Sequence, residues 1–120
     1  MTLPINLVGN NTVVDNVVVS TVNSLTAHAG GGQGSATPLT AAINRVATVA
    51  TIADSVILPV STVGITVTAI NAGAASMNVF PASGEAINAL GANTAFAVAA
   101  GKTAEFFCTN SGQWHSVLSA

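Results

Sequence analysis

Few side chains in this sequence could carry out nucleophilic or acid–base chemistry. One cysteine (Cys108), two histidines (His28 and His115) and four carboxylates (Asp15, Asp54, Glu85 and Glu105) make up the reactive set. Catalysis needs several such groups converging on one pocket. Cys108 and His115 are seven residues apart across an Asn110-Ser111-Gly112 turn signal, so adjacent strands could present them as a thiol–imidazole pair. Cys108, however, shares the parity of Ala104 and Phe106, which marks it as a small core residue, and buried free thiols are usually inert. His115 reads as a rim or hydrogen-bond-satisfied histidine rather than a ligand. A zinc site needs three or four ligands close together, and the sequence does not cluster them. Asp54 with Glu85 or Glu105 would be the carboxylate couple of a glycosidase, yet Asp54 and Glu85 sit in turn contexts where acids are ordinary. The run Gly30-Gly31-Gly32-Gln33-Gly34-Ser35 lacks the Lys-Ser/Thr pair of a phosphate-cradling loop and reads as a flexible joint. Asn10-Asn11-Thr12 matches a glycosylation sequon but has no secretion signal before it, so it reads as chance. The expectation is a chain that is not an enzyme, with no catalytic residue, no cofactor and no metal.

Composition points to the same class. Only 5% of the 120 residues are charged, against about 25% in a typical soluble domain. Arg45 and Lys102 are the only strong bases, too few for the basic stripe that nucleic-acid binding requires. Thr, Asn, Ser and Gly interrupt every apolar stretch before it reaches the length of a membrane-spanning helix. With no Tyr and one Trp, the chain lacks the aromatic girdles of an outer-membrane barrel. The start Met1-Thr2-Leu3-Pro4 lacks the features of a signal peptide, and a lone cysteine cannot build a disulfide framework. These features fit assembly in a cytoplasm. The apolar half of the chain is mostly Ala and Val, which bury little area each. A thin core beneath an uncharged surface suits a domain covered by neighbours, hence a homo-oligomer or a larger assembly.

The elements that would position these residues read as strands. Val and Thr abound while the charged helix formers are nearly absent. Residues 12–19 form a first expected strand, and residues 27–38 a glycine-rich loop. The expected organisation is a single domain, residues 1–120, in which an N-terminal segment (1–38) is joined to a compact β body (39–120). Residues 39–53 repeat Ile43, Val46, Val49 and Ile52 at every third position, which could be a helical face, but the β-branched content favours a strand, with a short helical turn near Pro38. Asp54-Ser55 reads as a turn before a strand ending at Pro59. Ile65, Val67 and Ala69 alternate cleanly. Further strands are expected at 77–80, 86–90, 95–99, 102–109 and 113–119, with turns at 71–73, 81–84, 91–93 and 110–112, and a hairpin turn at Gly101-Lys102. No fixed-period repeat is visible. The expected fold is all-β, a compact antiparallel sandwich or barrel-like, jelly-roll-like domain. Phe107 lies on the face opposite Phe106, so one of the two should point away from the core. With Trp114, Val14 and Val18 it makes a possible interface set, because aromatic residues are enriched at interfaces. For Phe107 and Trp114 the alternative is a core with two packed faces.

From Asp54 onward the chain resembles a module of tailed-phage structural proteins. The resemblance is carried by Asp54-Ser55-Val56-Ile57-Leu58-Pro59, Gly64-Ile65-Thr66-Val67 and Asn71-Ala72-Gly73-Ala74. It continues through Val79-Phe80-Pro81-Ala82-Ser83-Gly84-Glu85-Ala86-Ile87-Asn88-Ala89-Leu90-Gly91-Ala92-Asn93. It ends with Ala99-Ala100-Gly101-Lys102-Thr103-Ala104-Glu105-Phe106-Phe107 and Gly112-Gln113-Trp114-His115. It implies a virion component assembled in the host cytoplasm. Two roles follow: a capsid decoration (cement) protein bracing the outside of a phage head, or a small tail, fibre-tip or receptor-binding protein. The short length and the lack of a shaft favour the first. The expected partners are further copies of the chain, three by analogy with decoration proteins, and the major capsid protein or other virion proteins, with neither nucleic acid nor membrane. The N-terminal segment is expected to make intersubunit or capsid contacts; the alternative is that residues 12–19 are one more strand of the same sandwich.

Overall fold

Alternating β-branched and small residues, broken by Gly, Asn and Pro, produce ten short strands in the computed structural model, which describes residues 18–30 and 32–120. They are β1 (Thr21–Thr26), β2 (Thr37–Pro38), β3 (Ile43–Thr48), β4 (Asp54–Ile57) and β5 (Thr66–Asn71), then β6 (Met77–Phe80), β7 (Ala86–Ile87), β8 (Phe96–Val98), β9 (Thr103–Asn110) and β10 (Gln113–Leu118). A single 3₁₀ turn, Gln33–Ser35, precedes β2. The strands form two sheets, ordered β1-β3-β5-β9-β10-β7 and β2-β4-β6-β8. The protein is all-β, as the residue types require.

The expectation of antiparallel pairing fails in the N-terminal half. β1, β3 and β5 run parallel in one sheet, and β2, β4 and β6 run parallel in the other. Parallel neighbours need a crossover between them, commonly a helix. Here each crossover is a strand of the opposite sheet, so the chain winds around the core as in a short β-solenoid. The winding has uneven pitch. Thr21 pairs Ile43, 22 residues on, whereas Ile43 pairs Thr68, 25 residues on. The antiparallel pairs lie towards the C-terminus, where β9 pairs β5 and β10 and β8 pairs β6, while β7 joins β10 in parallel.

Two local expectations are corrected by the same winding. Asp54 and Ser55 are not a turn but the first two residues of β4, both buried, and the preceding turn holds Ala53 at φ 77°. Gly101-Lys102 does not close a hairpin, because β8 and β9 lie in different sheets and the turn passes the chain between them. Residues 21–38 supply a strand to each sheet. Of the strand expected at 12–19, residues 12–17 lie outside the described residues, and Val18 and Val19 precede β1 without belonging to a strand.

The inner faces of the two sheets meet in one core containing Trp114, Phe106, Leu39, Leu58, Met77 and Ile87 among smaller aliphatics. Phe96 stands edge-on to Phe106 with centroids 5.8 Å apart, a favoured aromatic geometry. Two fully buried asparagines hold corners of the winding. Asn44 donates to the carbonyls of Ala41 and Thr68 and accepts the Ala41 amide. Asn71 donates to the carbonyls of Ala75 and Val98 and accepts the Gly73 amide. Buried amides with every group paired fix local geometry without a desolvation penalty.

Candidate interaction surface

Among the described residues, the reactive groups weighed from sequence do not assemble. Across the β9–β10 hairpin Cys108 pairs with Trp114 and His115 with Phe107, so Cys108 faces the core and His115 faces out. The Cys108 thiol, 3% exposed, lies 3.3 Å from the Asn110 carbonyl. His28 is exposed beside the turn after β1, where its backbone bridges Ser55. Asp15 lies outside the described residues. Among the described residues no group of three or more His, Cys, Asp or Glu side chains could hold a metal ion.

The carboxylates serve separate loops. Asp54 opens β4 and accepts the amides of Thr51 at 3.0 Å, Gly30 at 3.1 Å and Ala50 at 3.1 Å. The Thr51 and Gly30 amides hold its carboxyl below the ordinary aspartate value, against burial, with smaller help from the Ala50 amide and the charge of His28. Glu85 lies beyond the other end of β4. Its carboxylate accepts the Ser61 amide at 3.1 Å, the Ser61 hydroxyl at 3.0 Å and the Trp114 indole N–H at 3.2 Å. Ser61 in turn accepts the Gly112 amide at 2.8 Å. This cluster pins three chain reversals together: the β4–β5 loop, the β6–β7 loop and the β9–β10 turn. Glu105 stands on the outer face of the six-stranded sheet, away from both. The glycine-rich loop is likewise anchored rather than loose: Gln33 donates to the Pro81 carbonyl at 2.8 Å and to Asn93 Oδ1 at 3.0 Å.

The interface set divides. Trp114 is fully buried, its ring in the core and its one polar atom paired with Glu85. Of the two readings of this residue, the structure takes the core one, so Trp114 offers no surface for a partner. Phe107 takes the other direction. It lies half-buried on the outer face, between Thr66 of β5 and His115 of β10. Val18 is 91% exposed, and Val14 lies outside the described residues.

The register around Phe107 defines a broad outer face. One row runs Thr66–Phe107–His115, the next Ile43–Thr68–Glu105–Val117, and a third Arg45–Ile70–Thr103. Threonine and aliphatic groups dominate, with a single carboxylate and a single guanidinium. Sequence parity singled out Phe107, but its neighbours could not be named, because they come from strands up to about 70 residues away whose order the sequence does not state. Elsewhere Ile52, Val60, Val63 and Leu90 are exposed at loops, and Val117 and Leu118 at the end of β10. Comparison with family models, with characterised proteins and with solved structures finds no match.

Proposed function

We propose that this chain is a non-enzymatic structural protein of a phage virion, most specifically a decoration protein that braces the outside of the head. The observation that supports this reading is the outer face of the six-stranded sheet, a multi-strand surface of threonine and aliphatic rows that includes Phe107 and carries one carboxylate, Glu105, and one guanidinium, Arg45. A surface so poor in charge is a liability for a free monomer and an asset for a lattice partner. The uncharged composition and the resemblance from Asp54 onward support the same reading. Self-association completes it, with three copies as the working number. The test is antibody against the chain applied to virions of the encoding phage and viewed by gold labelling. Label over the head surface supports the reading. Label confined to the tail makes the chain a tail component instead, and unlabelled particles remove it from the virion.

A further inference from the structure

We infer that the outer face of the six-stranded sheet pairs with the same face of a second copy about a two-fold axis, Arg45 of each copy meeting Glu105 of the other. Both residues are exposed on this face. Arg45 of β3 lies opposite Ile70 of β5, and Glu105 of β9 lies opposite Thr68 of β5. β5 therefore runs between them. Strand geometry sets their Cα atoms ~10 Å apart across the sheet and ~7 Å apart along it. The Arg45 guanidinium does not turn towards Glu105. Its Nη1 donates to the Asn23 carbonyl of β1 at 2.9 Å, on the far side of β3. Each copy thus presents a cation and an anion side by side on one otherwise uncharged sheet face.

Such a pattern is complementary to its own image. A two-fold axis lying between two facing sheets, and crossing the line between the two charges at its midpoint, sets each charge against its opposite twice per pair. That midpoint falls over β5, between Thr68 and Ile70, which are both half-buried and uncharged. The centre of the contact is therefore apolar or hydroxylic, with the charges placed symmetrically around it. His115 also stands on this face, beside Phe107 in the row that begins at Thr66. Lys102 precedes β9 and lies outside the three rows. Asp54 and Glu85 are engaged by loop amides and the Trp114 indole elsewhere. A foreign partner would need a matching pair of charges at the same spacing, whereas a second copy supplies it by symmetry.

Sheet edges are the other route by which β proteins associate, and here they are poor. β1 gives its Asn23 and Thr26 carbonyls to Arg45 and Thr37, and register shifts interrupt it. β2 is two residues ending in Pro38, β7 is bridged by Ala92, and β8 has three residues. Pairing is a state of the free chain. It covers the face that the virion reading gives to a phage head, so pairing and head binding compete. Three copies remain the working number on the head, where the face is released to the lattice.

The test is charge reversal read by sedimentation of the purified chain at micromolar concentration. The unaltered chain is expected to form dimers. Arg45→Glu and Glu105→Arg each leave two like-charge contacts per pair, and each should weaken association about tenfold or more. Mixed in equal amounts, the two variants again set opposite charges against each other at both contacts, so dimers return. A monomer or a trimer of the unaltered chain overturns the inference. So do single variants that associate as the unaltered chain does, and so does a mixture that stays monomeric. Should Arg45→Glu fail to fold by circular dichroism, Thr68→Cys decides. Thr68 lies beside the axis and meets its own copy, while the native Cys108 is 3% exposed. Mild oxidation is then expected to give a disulfide-linked dimer, and a chain that stays monomeric overturns the inference. Phage heads play no part in this assay, so its failure leaves the virion reading standing, and a dimer that binds no heads leaves the pairing standing.

Discussion

Glu85 shows how a residue that looks ordinary in sequence becomes structural. An acid after Ser83-Gly84 reads as a solvated turn residue, yet its carboxylate gathers the Ser61 amide and hydroxyl and the indole N–H of fully buried Trp114. These donors are 24 and 29 residues away, beyond any local pattern. Glu85→Ala strands them, and losing hydrogen bonds to a charged acceptor costs about 2 kcal/mol. Urea unfolding should show that loss, with a smaller one for Glu85→Gln, which keeps one acceptor oxygen. Asp54 makes a pH-dependent contribution. The Thr51 amide first, then Gly30, lowers its folded pKa below the ordinary 3.8. The unfolded chain then binds the proton more readily, so stability rises with pH across the gap. The stabilisation is fully present above 3.8 and is lost as pH falls through the lower folded value. Asp54→Asn should flatten the acid limb of stability measured by urea midpoints from about pH 5 down to pH 2. Cys108 was legible: parity alone placed it inward, and it is 3% exposed.

Individual strands were readable, but their pairing was not. Residues 77–80 are recovered as β6, and the inward parity expected for Val67 and Ala69 holds along β5, with Ile65 half-buried just before it. Period-two alternation says which face is buried and nothing about whether the neighbour runs parallel. The winding repeats at unequal steps, 19 residues from Thr37 to Val56 and 23 from Asp54 to Met77, so no fixed period could announce it. The part that residues 21–38 play in both sheets was hidden for a related reason. Four glycines in five positions look like a joint, but Gly30 caps Asp54 and Gln33 holds Pro81 and Asn93. Deleting residues 2–37 should therefore abolish cooperative unfolding, since it removes β1, half of β2 and one donor to Asp54. A truncated chain with an intact sigmoidal transition would put residues 21–38 outside the folding unit. The turn after β5 makes a second element-level demand. A Cβ on Gly73 would lie 2.4 Å from the backbone nitrogen of Val49, and the Ala74 and Ala75 amides both donate to the Val49 carbonyl. Backbone held this way cannot yield cheaply. Gly73→Ala should cost about 1–3 kcal/mol, the usual range for overpacking, read as a lower denaturant midpoint at unchanged slope.

At the scale of the whole molecule, composition carried more than motif. With 5% charged residues, the chain cannot dress both outer sheet faces in charge, and the face that includes Phe107 carries one carboxylate and one guanidinium among threonine and aliphatic residues. The low charge of the whole chain is the physical basis for the proposed assembly role, and it does not depend on which strands pair. The aromatic split was half legible: parity placed Phe106 and Phe107 on opposite faces, whereas Trp114 could be assigned to the core only once Glu85 was seen to take its indole N–H. The account turns on whether this face engages a head. The decisive measurement is co-sedimentation of the purified chain with phage heads assembled without it. Saturable binding is predicted, with Phe107→Asp, once circular dichroism shows that it folds, reducing it at least about tenfold, the change expected for losing about 1.4 kcal/mol. Folded wild-type chain that stays in the supernatant at every concentration would contradict the assignment.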